Sequence, residues 1–114
     1  MSSFGAAEPA NNRPDPVVGS WALQEVRRIV TSALEGHPAR VFLFGSWAKG
    51  AATRLSDIDV GVLPLARLPG GLLASVREQL EESRVPYHVD LVDLSEADAA
   101  FRNRVLQEGV AWTA

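Results

Sequence analysis

Phe44-Gly45-Ser46-Trp47-Ala48-Lys49-Gly50, then five residues, then Ser56-Asp57-Ile58-Asp59-Val60: this stretch decides how the chain is read. Just before it, Arg40-Val41-Phe42-Leu43-Phe44 is a nearly continuous apolar run, the pattern of a buried strand. Gly45 ends that strand and lets the backbone come close to a ligand. Ser46 is expected to cap a short helix whose first N–H groups face the loop mouth, a place suited to phosphate. Gly50 suits a left-handed exit from that turn. Asp57 to Leu63 reads as a second strand, with Ile58, Val60 and Val62 on one face and Asp57, Asp59 and Gly61 on the other. Pro64 ends it.

Asp57 and Asp59 therefore project to the same side, with Cα atoms about 6.5–7 Å apart. Like charges roughly 5 Å apart at an effective dielectric near 20 repel by about 3 kcal/mol. A divalent cation between them removes that cost, and oxygen-only ligands suit Mg²⁺ or Mn²⁺. Asp90, in Val89-Asp90-Leu91-Val92, is expected to complete the site if the third strand lies beside the second. An ordinary edge-strand charge is the competing account of Asp90. Asp93 competes for the same role, but strand alternation puts it on the opposite face.

Outward from this core, Val17 to Leu34 carries a helical stripe of Val18, Ala22, Val26, Ile29, Val30 and Ala33, closed by Gly36 and Pro38. Gly70-Gly71 opens a second helix with Leu73, Val76 and Leu80 inward, and Pro86 closes it. Tyr87 to Leu94 is a third strand. Ser95-Glu96-Ala97-Asp98 resembles a capping box, with Leu94 and Ala99 as its staple, before a last helix to Glu108 with Phe101, Val105 and Leu106 inward. Gly109 caps that helix, and Val110-Ala111-Trp112 adds a short strand. The order predicts an α/β (α+β) fold: helices packed on a small mixed sheet. The link between the first two strands is too short for a crossover helix, so those strands are expected to be antiparallel.

The chain has 114 residues, with 46% hydrophobic and 22% charged, enough for one modest core. Residues 1–16, rich in Pro, Gly, Ala and Asn, read as a flexible leader, and 17–114 as the domain. No stretch approaches the roughly 18 apolar residues of a membrane span, and no secretory signal is present, so a cytoplasmic location is expected. Cysteine is absent and histidine occurs twice, which excludes thiolate and multi-histidine metal sites. A net charge of -3 argues against direct nucleic-acid binding.

Gly45-Ser46-x-Ala48-x-Gly50 followed by Ser56-Asp57-x-Asp59 resembles the nucleotidyltransferase superfamily that shares the palm of DNA polymerase beta, and the short chain resembles its minimal nucleotidyltransferase (MNT) group. Both halves of the motif and their spacing match together, which makes the signal specific. The resemblance implies that Gly45 and Ser46 hold the triphosphate of ATP. It implies that Asp57 and Asp59 bind two Mg²⁺ ions and that Asp90 is the third carboxylate, assisting the attacking hydroxyl. Lys49 and Ser56 are candidate phosphate contacts, with a solvated lysine and a strand-entry cap as their plain alternatives. Trp47 stands where many relatives carry arginine. Arg54 reads as solvated, His88 as a surface histidine sharing Asp90's face, and Trp21 and Trp112 as core or interface residues.

The implied activity is transfer of AMP from ATP to a hydroxyl. The chain leaves no residues for an acceptor-binding domain, so an acceptor protein in trans is expected. Minimal nucleotidyltransferases of this type are often antitoxins paired with a HEPN-domain toxin, which they AMPylate on tyrosine. Two other functions stay open: a non-catalytic antitoxin or binding module with a vestigial metal site, and a small-molecule (antibiotic) nucleotidyltransferase whose acceptor pocket forms across a homo-oligomer.

Overall fold

The computed structural model describes residues 12–113, so most of the leader expected over residues 1–16 lies outside the described residues. The element order is α1 (Pro16–Ala33), β1 (Ala39–Phe44), α2 (Gly45–Ala48), β2 (Ile58–Pro64), α3 (Leu72–Glu82), β3 (Val89–Asp93), a 3-10 turn (Leu94–Glu96), α4 (Ala99–Glu108) and β4 (Val110–Ala111). The four strands form one mixed sheet in the order β3-β2-β1-β4. β1 runs antiparallel to β2, with Phe44 opposite Asp59, as the short link between them requires. β2 and β3 are parallel and joined through α3, with Asp59 opposite Asp90.

The two faces of the sheet are covered differently. Val41, Leu43, Ile58, Val60, Val62 and Leu91 pack beneath α1 and α3, against Ala22, Val26, Val76 and Leu80. The other face carries a smaller cluster in which Phe42, Leu94 and Val105 are buried and Phe44, Val92, Phe101 and Leu106 lean against them under α4. The period-two reading of β2 holds: Ile58, Val60 and Val62 are fully buried on the first face. Gly61 lies on the second face, where a Cβ would stand 2.9 Å from Leu94 Cδ1. Only a residue without a side chain lets fully buried Leu94 lie flat on β2 at that point.

Several helix details differ from the sequence reading, each for a local reason. α1 starts at Pro16 because Asp15 caps it, accepting from Val17 N at 2.9 Å and Val18 N at 3.1 Å. Val18 is exposed, and Gly19 takes the buried place instead, because the Trp47 ring lies against it with Cζ3 3.3 Å from where a Cβ would be. Ser95 does not cap α4. Its hydroxyl donates to Asp93 Oδ1 at 2.6 Å, Asp93 thereby closing the 3-10 turn, and Asp98 is the helix cap, accepting from Ala100 N and Phe101 N. Trp112 is buried, its carbonyl held by Arg27 Nη2 at 3.1 Å and its N–H bonded to Val41 O, which fastens the β4 edge to β1 and α1. Trp21 is 43% exposed.

Gly61→Ala is expected to destabilise the chain by about 1–3 kcal/mol in urea unfolding, since the added methyl must displace Leu94. The same change should cost markedly less in a Leu94→Ala background. Equal costs in both backgrounds would refute the contact.

Candidate active site

The C-terminal end of β1 and the N-terminal ends of β2 and β3 meet at one edge of the sheet. The motif residues collect there, on the α4 side. Phe44, Asp59 and Asp90 are consecutive cross-strand neighbours, so the two carboxylates stand on adjacent strands roughly 4.8 Å apart at the backbone. Asp57 precedes β2 by one residue and is exposed, Asp59 is half-buried, and Asp90 is exposed.

Gly45 joins this row to α2. Its φ of +76° is a left-handed conformation that other residues resist. A Cβ there would run into the carboxylate oxygen Oδ2 of Asp59. The turn and the carboxylate therefore require glycine for two independent reasons. Ser46 is not the cap of α2, contrary to the sequence reading. The helix begins at Gly45, the N-cap position is the extended Phe44, and no side chain caps the start. The first-turn amides are thus left to water or a ligand. Gly50 leaves the turn at φ +71°, as its position suggested.

Asp59 has its pKa raised. Burial is the main cause, the Asp90 and Asp57 charges add to it, and nearby His88 pulls weakly the other way. His88 is exposed, and its carbonyl accepts from Ile58 N at 2.9 Å, which starts the β2–β3 ladder beside the carboxylates. Asp93 faces elsewhere and is spent on the 3-10 turn. Among the described residues no three histidine, aspartate or glutamate side chains are gathered closely enough to hold a metal ion. Mg²⁺ does not need such a cage, since it is usually held by one or two carboxylates and completed by substrate phosphates and water. Carboxylates gathered beside an uncapped turn fit that donor pattern.

The other sequence candidates have partners of their own. Lys49 reaches toward α4, with Nζ 3.8 Å from Glu108 Oε1 in an exposed, weak pair. A cleft of about 250 Å³ opens there beside Gly45, lined by Phe44, Lys49, Phe101 and Arg104 among others. Two of its lining residues, Phe44 and Phe101, form an edge-to-face pair with centroids 5.5 Å apart. The Ser56 hydroxyl accepts from Thr53 N at 2.9 Å and closes a local turn. Arg54 is exposed, its N–H bonded to Asn12 O. Sequence reasoning missed the part played by Trp47, whose indole N–H donates to Ser56 O at 3.2 Å and whose ring meets Tyr87 edge-on at 4.8 Å. Two sequence-distant partners carry those contacts, and no spacing rule joins them.

A mixed sheet thus gathers carboxylates at the mouth of a Gly-Ser turn. The model of the polymerase beta nucleotidyltransferase family matches residues 29–111, and the chain belongs to that family. It is 34% identical over 62 residues to a protein of Haemophilus influenzae named a probable protein adenylyltransferase, MntA. That match takes in 54% of each chain, so it spans about half the length of the relative. Among solved structures, a toxin-antitoxin crystallised with AMP-PNP superposes with a TM-score of 0.62 at 27% identity, over 77% of this chain and 73% of that one. A Shewanella oneidensis MNT antitoxin in complex with a tri-AMPylated HEPN toxin shares the fold, with a TM-score of 0.61 at 22% identity over 84% of this chain and 72% of the other. No helix among the described residues is long and apolar enough to cross a membrane.

The raised Asp59 pKa has a consequence for stability. The folded chain keeps that proton to higher pH than the unfolded chain does. Its contribution is therefore fully present at low pH and is lost as pH rises through the folded-state pKa. Asp59→Asn is expected to raise the ligand-free Tm by a few degrees at neutral pH. The gap to wild type should narrow as pH falls toward the ordinary carboxylate range, about pH 4. A Tm difference that does not change with pH would show that Asp59 is not held under charge and burial stress.

Proposed function

We propose that the chain is a Mg²⁺-dependent nucleotidyltransferase that moves AMP from ATP onto a hydroxyl of a protein. We assign it as the antitoxin of a pair whose HEPN-domain toxin supplies the acceptor tyrosine. The observation that carries this reading is the row Phe44–Asp59–Asp90, which sets paired carboxylates against the uncapped Gly45 turn. The adenylyltransferase name of the Haemophilus relative and the AMP-PNP of the related toxin-antitoxin structure support the nucleotide and the partner class.

In this reading Asp57 and Asp59 hold Mg²⁺, which when bound neutralises phosphate charge and favours both the attacking oxygen and the departing pyrophosphate. The amides at Gly45 and Ser46 and the Ser46 hydroxyl hold the phosphates. Asp90, exposed at the edge of the row, takes the proton of the acceptor hydroxyl. The hydroxyl oxygen then bonds to the α-phosphorus, and the bond from that phosphorus to the bridging oxygen breaks, releasing pyrophosphate. The chain itself forms no covalent intermediate. Positioning and charge compensation supply the rate.

The test is transfer of label from α-labelled ATP to the toxin encoded with the chain, in Mg²⁺. Wild type is expected to label it, and Asp57→Asn or Asp59→Asn to lose at least about a hundredfold in rate while staying folded. Near-normal transfer by either variant would overturn the site assignment. A folded wild type that binds and silences the toxin without labelling it would establish a binding module instead. Separately, ATP with Mg²⁺ is expected to raise the Tm well beyond ATP alone, because a bare triphosphate meets uncompensated carboxylates. Ser46→Ala is expected to slow transfer with little change in Tm, since Ser46 caps nothing; a large loss of stability would contradict the observed helix start.

A further inference from the structure

We infer that Trp47 is a positioning residue that locks the two halves of the site together. Gly45-Ser46, the phosphate half, and Asp57, the metal half, are separated by the segment 51–57, which has no helix or strand. Its internal ties are short-range: Ser56 N to Thr53 O at 3.1 Å, and the Thr53–Ser56 side-chain contacts. Its backbone ties outward are Ala51 N to Ser46 O at 2.9 Å, at the segment's beginning, and Arg54 N to Asn12 O at 2.8 Å, to the start of the described chain. At its far end, next to Asp57, the hydrogen bond from Trp47 Nε1 to Ser56 O is the tie that reaches back to α2.

Trp47 is well braced for this role. Its ring meets Tyr87 at 4.8 Å, just before β3, and lies on Gly19 of α1, where a Cβ would stand 3.3 Å away. Gly19 is buried and leaves room for the ring. The indole is thus clamped by α1 and the entry to β3, and it holds the carbonyl of the residue before Asp57. A shift of α2 is transmitted to Asp57 through a rigid side chain rather than through the loop. Arginine at this place would supply a charge but no flat ring to be clamped between Gly19 and Tyr87. The inference rests on the reading of Asp57 as a metal ligand only for its effect on metal use, not for the tie itself.

Trp47→Phe keeps an aromatic ring on the Tyr87 side and removes the donor, together with the far edge of the indole that lies on Gly19. Backbone hydrogen exchange of the ligand-free chain is expected to speed up roughly tenfold across 51–57 while α1 and the sheet keep their protection. In the transfer assay the same variant is expected to need several-fold more Mg²⁺ for half-maximal rate, with the rate at saturating Mg²⁺ within about twofold of wild type. In the wild type, the Trp47 indole N–H should exchange far more slowly than that of exposed Trp21, a comparison that needs no variant. Unchanged exchange over 51–57, uniform loosening of the whole fold, or an indole N–H as labile as that of Trp21 would overturn the inference. If the wild type transfers no AMP, the Mg²⁺ arm falls with the proposed function, and the two exchange measurements still decide the tie.

Discussion

Everything at the open edge of the sheet depends on the position of Asp59, a carboxylate held half-buried beside another carboxylate. β2 is paired on both sides, so Asp59 cannot move away from Asp90 without breaking the sheet. The register is set by the opposite face. Ile58, Val60 and Val62 are fully buried under α1 and α3, and a slip of one residue would turn all three outward. The apolar core thus holds an unfavourable charge arrangement in place at its rim. Gly45 completes the constraint, because its missing side chain is what leaves room for the Asp59 carboxylate at the foot of the turn.

The unequal covering of the two faces explains why this rim stays accessible. The cluster under α1 and α3 is the larger, and the one under α4 has only Phe42, Leu94 and Val105 buried. Leu94, seated on Gly61, anchors the covered part of that second face, and Phe101 against Phe44 marks where the cover ends. Beside Phe44 the sheet presents Asp59 and Asp90 at its rim, next to the start of α2. A longer α4 or a side chain at position 61 would change that boundary, so the fold's smaller cluster governs the shape of the site it does not itself line.

Much of this arrangement is legible in the residues. The alternation from Asp57 to Leu63 gives both faces of β2, the short link after Phe44 dictates antiparallel β1 and β2, and an apolar third strand beside β2 brings Asp90 opposite Asp59. What eludes a sequence reading is the choice among near-equivalent local partners. Ser46 and Ser95 look like caps, yet Gly45 already bends the chain into α2, and Asp98 offers a carboxylate where Ser95 has only a hydroxyl that Asp93 claims first. Lys49 turns to Glu108, and Gly19 replaces Val18 in the core to accept Trp47, because residues far along the chain decide both.

The three tryptophans occupy three distinct surroundings: Trp21 is largely in water at 43% exposure, Trp112 is in the core at 8%, and Trp47 stands between the halves of the site. Two of these indoles report on features remote from the carboxylates, solvent for the one and the β4 edge for the other. The third changes its surroundings whenever α2 and the segment before β2 move relative to each other. The chain therefore carries its own optical gauge. Its near-ultraviolet emission separates global unfolding, which exposes Trp112, from a local rearrangement of the site, which alters Trp47 alone, without any attached label.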